Sequence, residues 1–372
     1  MRNGLNITGV SEMVHEIREN PAEAMARFGV ETPAGASSPG TVASRTLTAR
    51  NGTVRMARDF RLSHRLALTP RDPAAPHPTV YEAALASLGA CVLVTTVNGY
   101  TARGVTLGGI SVTARAELAV DDTGEPVAGR PLENIRWRCD VDADADADMA
   151  RSINRLVTAF SPNHRVVLDE SVWDEAAVTH SDGSTAPVAV PPPASSSGSH
   201  AACPVEATVT WEYGSEAGFR TTVRAHGADH TSGPWRVDQA KQMLGIDRAP
   251  NSQELLLAAV GAELTALLGD EHGPVPLRVM GCLDTRGMLN VTREAPSRFH
   301  GLSLEAAAPG PMPDAAALSS ALSTALSRSV LVATLATPRA VDVELWLRGT
   351  RVLSVNSTTA EAEAVRDELT AR

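Results

Sequence analysis

Apolar and polar residues alternate through "RTLTARNGTVRMARDFRLSHRLALT", Arg45 to Thr69, as they do in strands with one buried face. At Thr79 the pattern changes. The run to about Ala102 is apolar nearly all round, with Ala, Gly and Ser interleaved, which predicts a helix buried on several sides. Strands follow at "GVTLGGISVTARAELAV" and "NIRWRCDVDA", then a helix from about Asp148 to Phe160. The second half repeats this order. Strands at "EATVTWEY" and "GFRTTVRAHG" precede a helix from Asn251 to Leu268. Strands at "VPLRVMGCLDTRGML" and "FHGLSLEAAA", a helix from Asp314 to Ser327 and a strand at "AVDVELWLRG" complete it.

The two central helices match residue for residue at Glu82/Glu254, Leu85/Leu257, Ala86/Ala258, Gly89/Gly261 and Ala90/Ala262. With the same order of elements around both, the chain reads as an internal repeat. Between the copies, residues 181–203 are rich in Pro, Ser and Gly and read as a linker. Residues 41–180 and 204–372 are then the two repeats. Residues 1–40 form an N-terminal extension, expected to be helical: Ser11 caps one segment, and Pro21 restarts it with Ala22, Met25 and Phe28 as an apolar stripe.

Composition narrows the function. Of 372 residues, 43% are hydrophobic and 20% charged, as in ordinary globular proteins. The net charge of −10 disfavours nucleic-acid binding. No apolar run reads as a membrane span, and the first residues lack the basic-then-apolar order of a signal peptide. A reducing cytoplasm is the expected compartment, where the four cysteines, none in a CxxC pair, stay free thiols. Neither a metal nor a cofactor is expected. The aspartates of "DVDADADAD" have Ala147 and Ile153 where a calcium loop needs Gly and Glu, and His226 and His230 lack a third ligand.

The segment "YEAALASLGACVLVTTVNGYTARGVTLGGISV" resembles the central segment of the OsmC/Ohr family, the osmotically inducible and organic-hydroperoxide-resistance proteins. The resemblance implies that Cys91 is a peroxidatic thiol and Glu82 its acidic partner; upstream, "TARNGTVRMARDFRLSHRLALTP" resembles the family's Gly-Arg-x-Gly strand segment, which implies Arg50 as the cation beside the thiolate. It also implies an α+β fold of two OsmC-like domains, each a strongly bent antiparallel sheet around a buried central helix, arranged as a single-chain pseudo-dimer. In "AFSPNHRVVL", Ser161 stands where the family carries its resolving cysteine, followed by His164 and Arg165. Glu263 replaces the thiol in the second half, with Glu254 in the place of Glu82.

The leading expectation is a thiol enzyme that reduces organic hydroperoxides through Cys91, with an external thiol as reductant. Two alternatives stay open. One is a specialised-metabolism enzyme acting on a non-peroxide substrate through Cys91 or Glu263. The other is a ligand-binding protein in which Cys91 only lines an apolar pocket, since buried free cysteines often just fill space. Whether the chain pairs again as a homodimer is open.

Overall fold

The computed structural model describes residues 1–33, 40–69, 77–171, 173–180, 183–192, 200–269, 275–307 and 315–370. The first half contains α1 (Ile7–Glu19), β1 (Met25–Thr32), β2 (Thr41–Thr46), β3 (Ala49–Asn51), β4 (Val54–Met56) and β5 (Arg61–Arg65). It continues with α2 (Val80–Ala102), β6 (Leu107–Val120), β7 (Glu133–Ala143), α3 (Ala147–Phe160), α4 (Pro162–Leu168), β8 (Trp173–Thr179) and β9 (Thr185–Pro187). The second half begins with β10 (Ala201–Tyr213), β11 (Glu216–Ala225), β12 (Ala228–Val237), α5 (Ser252–Leu268), β13 (Leu277–Asp284) and α6 (Thr285–Met288). Then come β14 (His300–Ala307), α7 (Ala315–Arg328), α8 (Val330–Ala336), β15 (Val341–Leu347), β16 (Thr350–Ser357) and α9 (Thr359–Thr370).

The strands form two sheets, and each draws on both halves. One runs β4-β3-β1-β13-β14-β8-β9, with β2 beside β1 and β5 beyond it; the other runs β12-β11-β10-β6-β7-β15-β16. Four joints cross between halves: β1–β13, β8–β14, β6–β10 and β7–β15. This corrects the expected fold class. Neither sheet is closed or strongly curled, and neither is purely antiparallel, because β8–β14 and β7–β15 pair in parallel. The bent antiparallel sheet around one helix, repeated once per half, is therefore not what the chain builds.

The two central helices fill the space between the sheets. Helix α2 packs on β6 and β10, α5 packs on β1, β2 and β13, and the helices pack on each other. The matched glycines explain how they fit. A Cβ on Gly89 would meet Val209 Cγ2 at 3.0 Å, and one on Gly261 would meet Thr32 Oγ1 at 2.8 Å. Each glycine lets its helix lie close against its own sheet. Helix α2 has the length and mean hydropathy (1.7) of a membrane span, which corrects the expectation that no run does; 83% of that window is buried inside the protein.

The N-terminal expectation also changes. Pro21 opens only a short 3-10 turn to Ala24, and residues 25–32 are a strand paired with β13 along its whole length. Its Ala26, Phe28 and Val30 are buried on one face, the period of two that a strand requires. Residues 181–182 and 193–199 of the expected linker lie outside the described residues, as does Asp314. Cys203 falls inside β10, where it is buried.

Candidate functional site

Cys91 lies midway along α2, 4% exposed. The chain breaks between α3 and α4 at Ser161, and the break faces the thiol. Ser161 Oγ donates to Cys91 Sγ at 3.3 Å and the Asn163 backbone N–H donates at 3.4 Å. Pro162 between them supplies no N–H and its fixed φ starts the new helix. A third donor comes from the first turn of α5, where Gln253 Nε2 lies 3.8 Å from the sulfur. Asn163 ties these parts together: its Nδ2 donates to the carbonyls of Ser87 and Ser252, and its Oδ1 accepts from Gln253.

Burial pushes the Cys91 thiol above its ordinary value, and the hydrogen bonds of Asn163, Ser161, Ser252 and Gln253 act in the opposite direction. The polar contacts at the sulfur are all neutral donors. Beyond it opens a cavity of about 360 Å³, lined mostly by apolar groups that include Val94, Phe160, Met243, Met288 and Leu369.

Two expected partners are displaced. Glu82 sits nine residues before Cys91 on the same helix, roughly 13 Å along the axis, too far to act at the sulfur. Its carboxylate instead completes the capping box of α2 with Thr79 and accepts from Arg65 Nη2 at 3.0 Å. Arg50 is an exposed residue of β3, paired in register with Arg27 and Arg55, and makes no contact with Cys91. The charged pair nearest in sequence to the Cys91 shell is Arg58–Glu254. Glu254 follows Gln253 in the first turn of α5 and closes the second capping box with Asn251. Arg58 Nε and Nη2 grip both of its oxygens at 2.8 and 2.6 Å, fully buried, and Nη1 bonds Asp247.

Arg58 was not singled out from the sequence.

His164 and Arg165 follow the break but turn away from the sulfur. His164 Nδ1 accepts from Trp137 Nε1 at 3.2 Å, so Nε2 carries the proton and donates to Ser357 Oγ. Burial holds its pKa down to about 3. Arg165 bonds Asp169 at 2.8 Å and also Glu363, which ties α4 to α9. Ser161 is thus the member of this motif, with Asn163, that reaches Cys91.

Glu263 occupies the matching place in the second half. It accepts from Ser329 Oγ, from the backbone N–H groups of Val330 and Leu331 at 2.9 and 3.1 Å, and from Tyr81 OH at 3.3 Å. The correspondence is close. Ser329 begins α8 after α7, as Ser161 begins α4 after α3, and Tyr81 precedes Glu82 as Gln253 precedes Glu254. The carboxylate fills its own donor set, and burial raises its pKa against those bonds. It lines neither the cavity beside Cys91 nor the one between β5 and β12.

The remaining thiols stand apart. All four cysteines are free. Cys139 is buried in β7, its pKa pushed up to about 12, and Cys203 donates to the Arg224 carbonyl at 3.0 Å with its own pKa raised to about 11. The aspartate run does what a strand end and helix start require, with Asp146 capping α3 through the Met149 N–H at 2.7 Å. No family model matches the chain, and no curated protein matches it.

Proposed function

We propose that the protein is a thiol-dependent peroxidase of the OsmC/Ohr type, with Cys91 as its nucleophile and an organic hydroperoxide as substrate. The observation that carries this reading is the convergence of Ser161 Oγ, the Asn163 N–H and Gln253 Nε2 on one sulfur at the wall of an apolar cavity. Donors of this kind favour a thiolate over a thiol. In the reaction, the thiolate attacks the terminal peroxide oxygen and the O–O bond breaks. The alkoxide leaves and takes up a proton to become an alcohol, and Cys91 becomes a sulfenic acid. An external thiol then condenses with it, releasing water, and a second thiol regenerates Cys91 as a disulfide leaves. No second protein thiol lies among the partners of Cys91, so the reductant comes from outside the chain.

The second reading is a binding protein for an apolar ligand. It is favoured by the burial that raises the Cys91 pKa and by Arg58, whose charge is spent on Glu254 and Asp247. Stopped-flow mixing of the reduced protein with cumene hydroperoxide, with mass-spectrometric mapping of sulfenic acid, separates the two. Rapid oxidation confined to Cys91 and lost in Cys91→Ser is expected. Slow oxidation spread over several thiols sinks the peroxidase reading and leaves the binding one.

A further inference from the structure

A second cavity, of about 250 Å³, opens away from Cys91 where the approaches to α2 and α5 meet β5 and β12. Its walls are aromatic and apolar: Phe60, Leu62, Phe219 and Trp235, with Pro78 and Pro250 from the residues leading into the two helices. His77 stacks on Trp235, their ring centres 5.5 Å apart and their planes 29° from parallel. Two histidines line it, and His64 is only 1% exposed.

Three polar atoms of the residues that line it are unsatisfied. His64 Nδ1, His77 Nδ1 and Trp235 Nε1 are buried and lack hydrogen-bond partners among the described residues. Orphaned buried donors and acceptors are rare because each costs about 1–3 kcal/mol. Three of them around one cavity point to a group that is bound there. Burial keeps His64 neutral, its pKa lowered to about 4, so near neutral pH it offers one N–H and one lone pair. The charged side chains lining the cavity are Arg61, Arg236 and Arg248, with no carboxylate among them. Arg236 and Arg248 both bond Glu216, and Glu212 lies 3.8 Å from Arg236.

We infer that this cavity is a second ligand site, for a small planar aromatic carboxylate. The flat ring would lie against Trp235 and the phenylalanines. Its polar edge would meet the indole N–H and the imidazole of His64, and its carboxylate would face the arginines at the mouth. Offset stacking on aromatic rings favours a flat ligand over a saturated one of equal size. Two of the three guanidiniums already share Glu216, so the preference for an anion over an amine rests on Arg61.

The test is isothermal titration of the full chain with benzoate, indole-3-carboxylate, cyclohexanecarboxylate and benzylamine. Saturable one-to-one binding of the aromatic acids is expected, about tenfold or more tighter than of the other two probes. Trp235→Phe, which keeps a ring and removes the N–H, should weaken binding roughly threefold to tenfold. His64→Leu should weaken it by about tenfold. Circular dichroism checks the fold of both, and should the buried histidine variant not fold, Trp235→Leu at the half-buried position gives the same reading. Absent or equal binding of all four probes overturns the inference. So does binding that ignores the Trp235 variants and slows alkylation of Cys91 by iodoacetamide, which would place the acid in the thiol cavity.

Discussion

Cys91 on α2 faces Ser161, at the break between α3 and α4, at 3.3 Å, and this distance makes a direct prediction. A sulfur in place of the serine oxygen needs only about 1 Å of approach to reach the 2.05 Å of a disulfide. Ser161→Cys should therefore cross-link to Cys91 under mild oxidation, seen as loss of two thiol hydrogens in the intact mass and as a linked peptide. Failure to link would mean that the break holds the two side chains out of line, and that position 161 never belonged to a redox pair. Glu263 meets the opposite circumstance at the matching place, since a carboxylate with four donors needs nothing further. The sequence marked Cys91 and Glu263 because they stand at matching places in two similar helices. The family resemblance pointed to Ser161 beside Cys91, but nothing in the sequence named Asn163 and Gln253, or the partners of Glu263, which lie 66 to 182 positions away from it.

At the scale of elements, the first turns of α2 and α5 are built alike: a capping box whose glutamate also takes a buried arginine, Arg65 for Glu82 and Arg58 for Glu254. Removing one member of a buried pair strands the other charge, so Arg58→Met should cost roughly 3–5 kcal/mol. Arg50→Ala, on the exposed face of β3, should stay within about 0.5 kcal/mol. Urea-denaturation midpoints compare them, and equal effects would contradict the assignment of Arg58 as the structural cation. The helices themselves were legible because their apolar run, their caps and their shared glutamates are local signals. The strand from Met25 was not, since Ala22, Met25 and Phe28 fall at helical spacing just after a proline that favours a helix start. Its pairing with β13 decides the matter, and that pairing spans some 250 residues of chain. Helix α9 escaped notice too, although Leu369 helps to line the thiol cavity and Glu363 holds Arg165.

At the scale of the whole molecule, the sequence suggested a repeat but not how the two halves assemble. The OsmC/Ohr resemblance implied one sheet per half, whereas both sheets are shared. A nick within residues 193–199 should therefore leave two fragments that stay bound to each other. Gel filtration after cleavage at an inserted protease site should give one peak at the size of the intact protein. Two separate peaks, each with native circular dichroism, would show that the halves fold independently.

Those shared sheets bear on how the chain comes to fold at all. The four strand joints between halves close only when segments far apart in the chain find one another, and loop closure of that kind is slow. On a ribosome the first half would emerge with β1, β6, β7 and β8 each still lacking a neighbour that is yet to be made. Its open edges would then be templates for the wrong strand as readily as for the right one. The covalent tether limits that interval, because it keeps the correct partner at high local concentration as soon as it is synthesised.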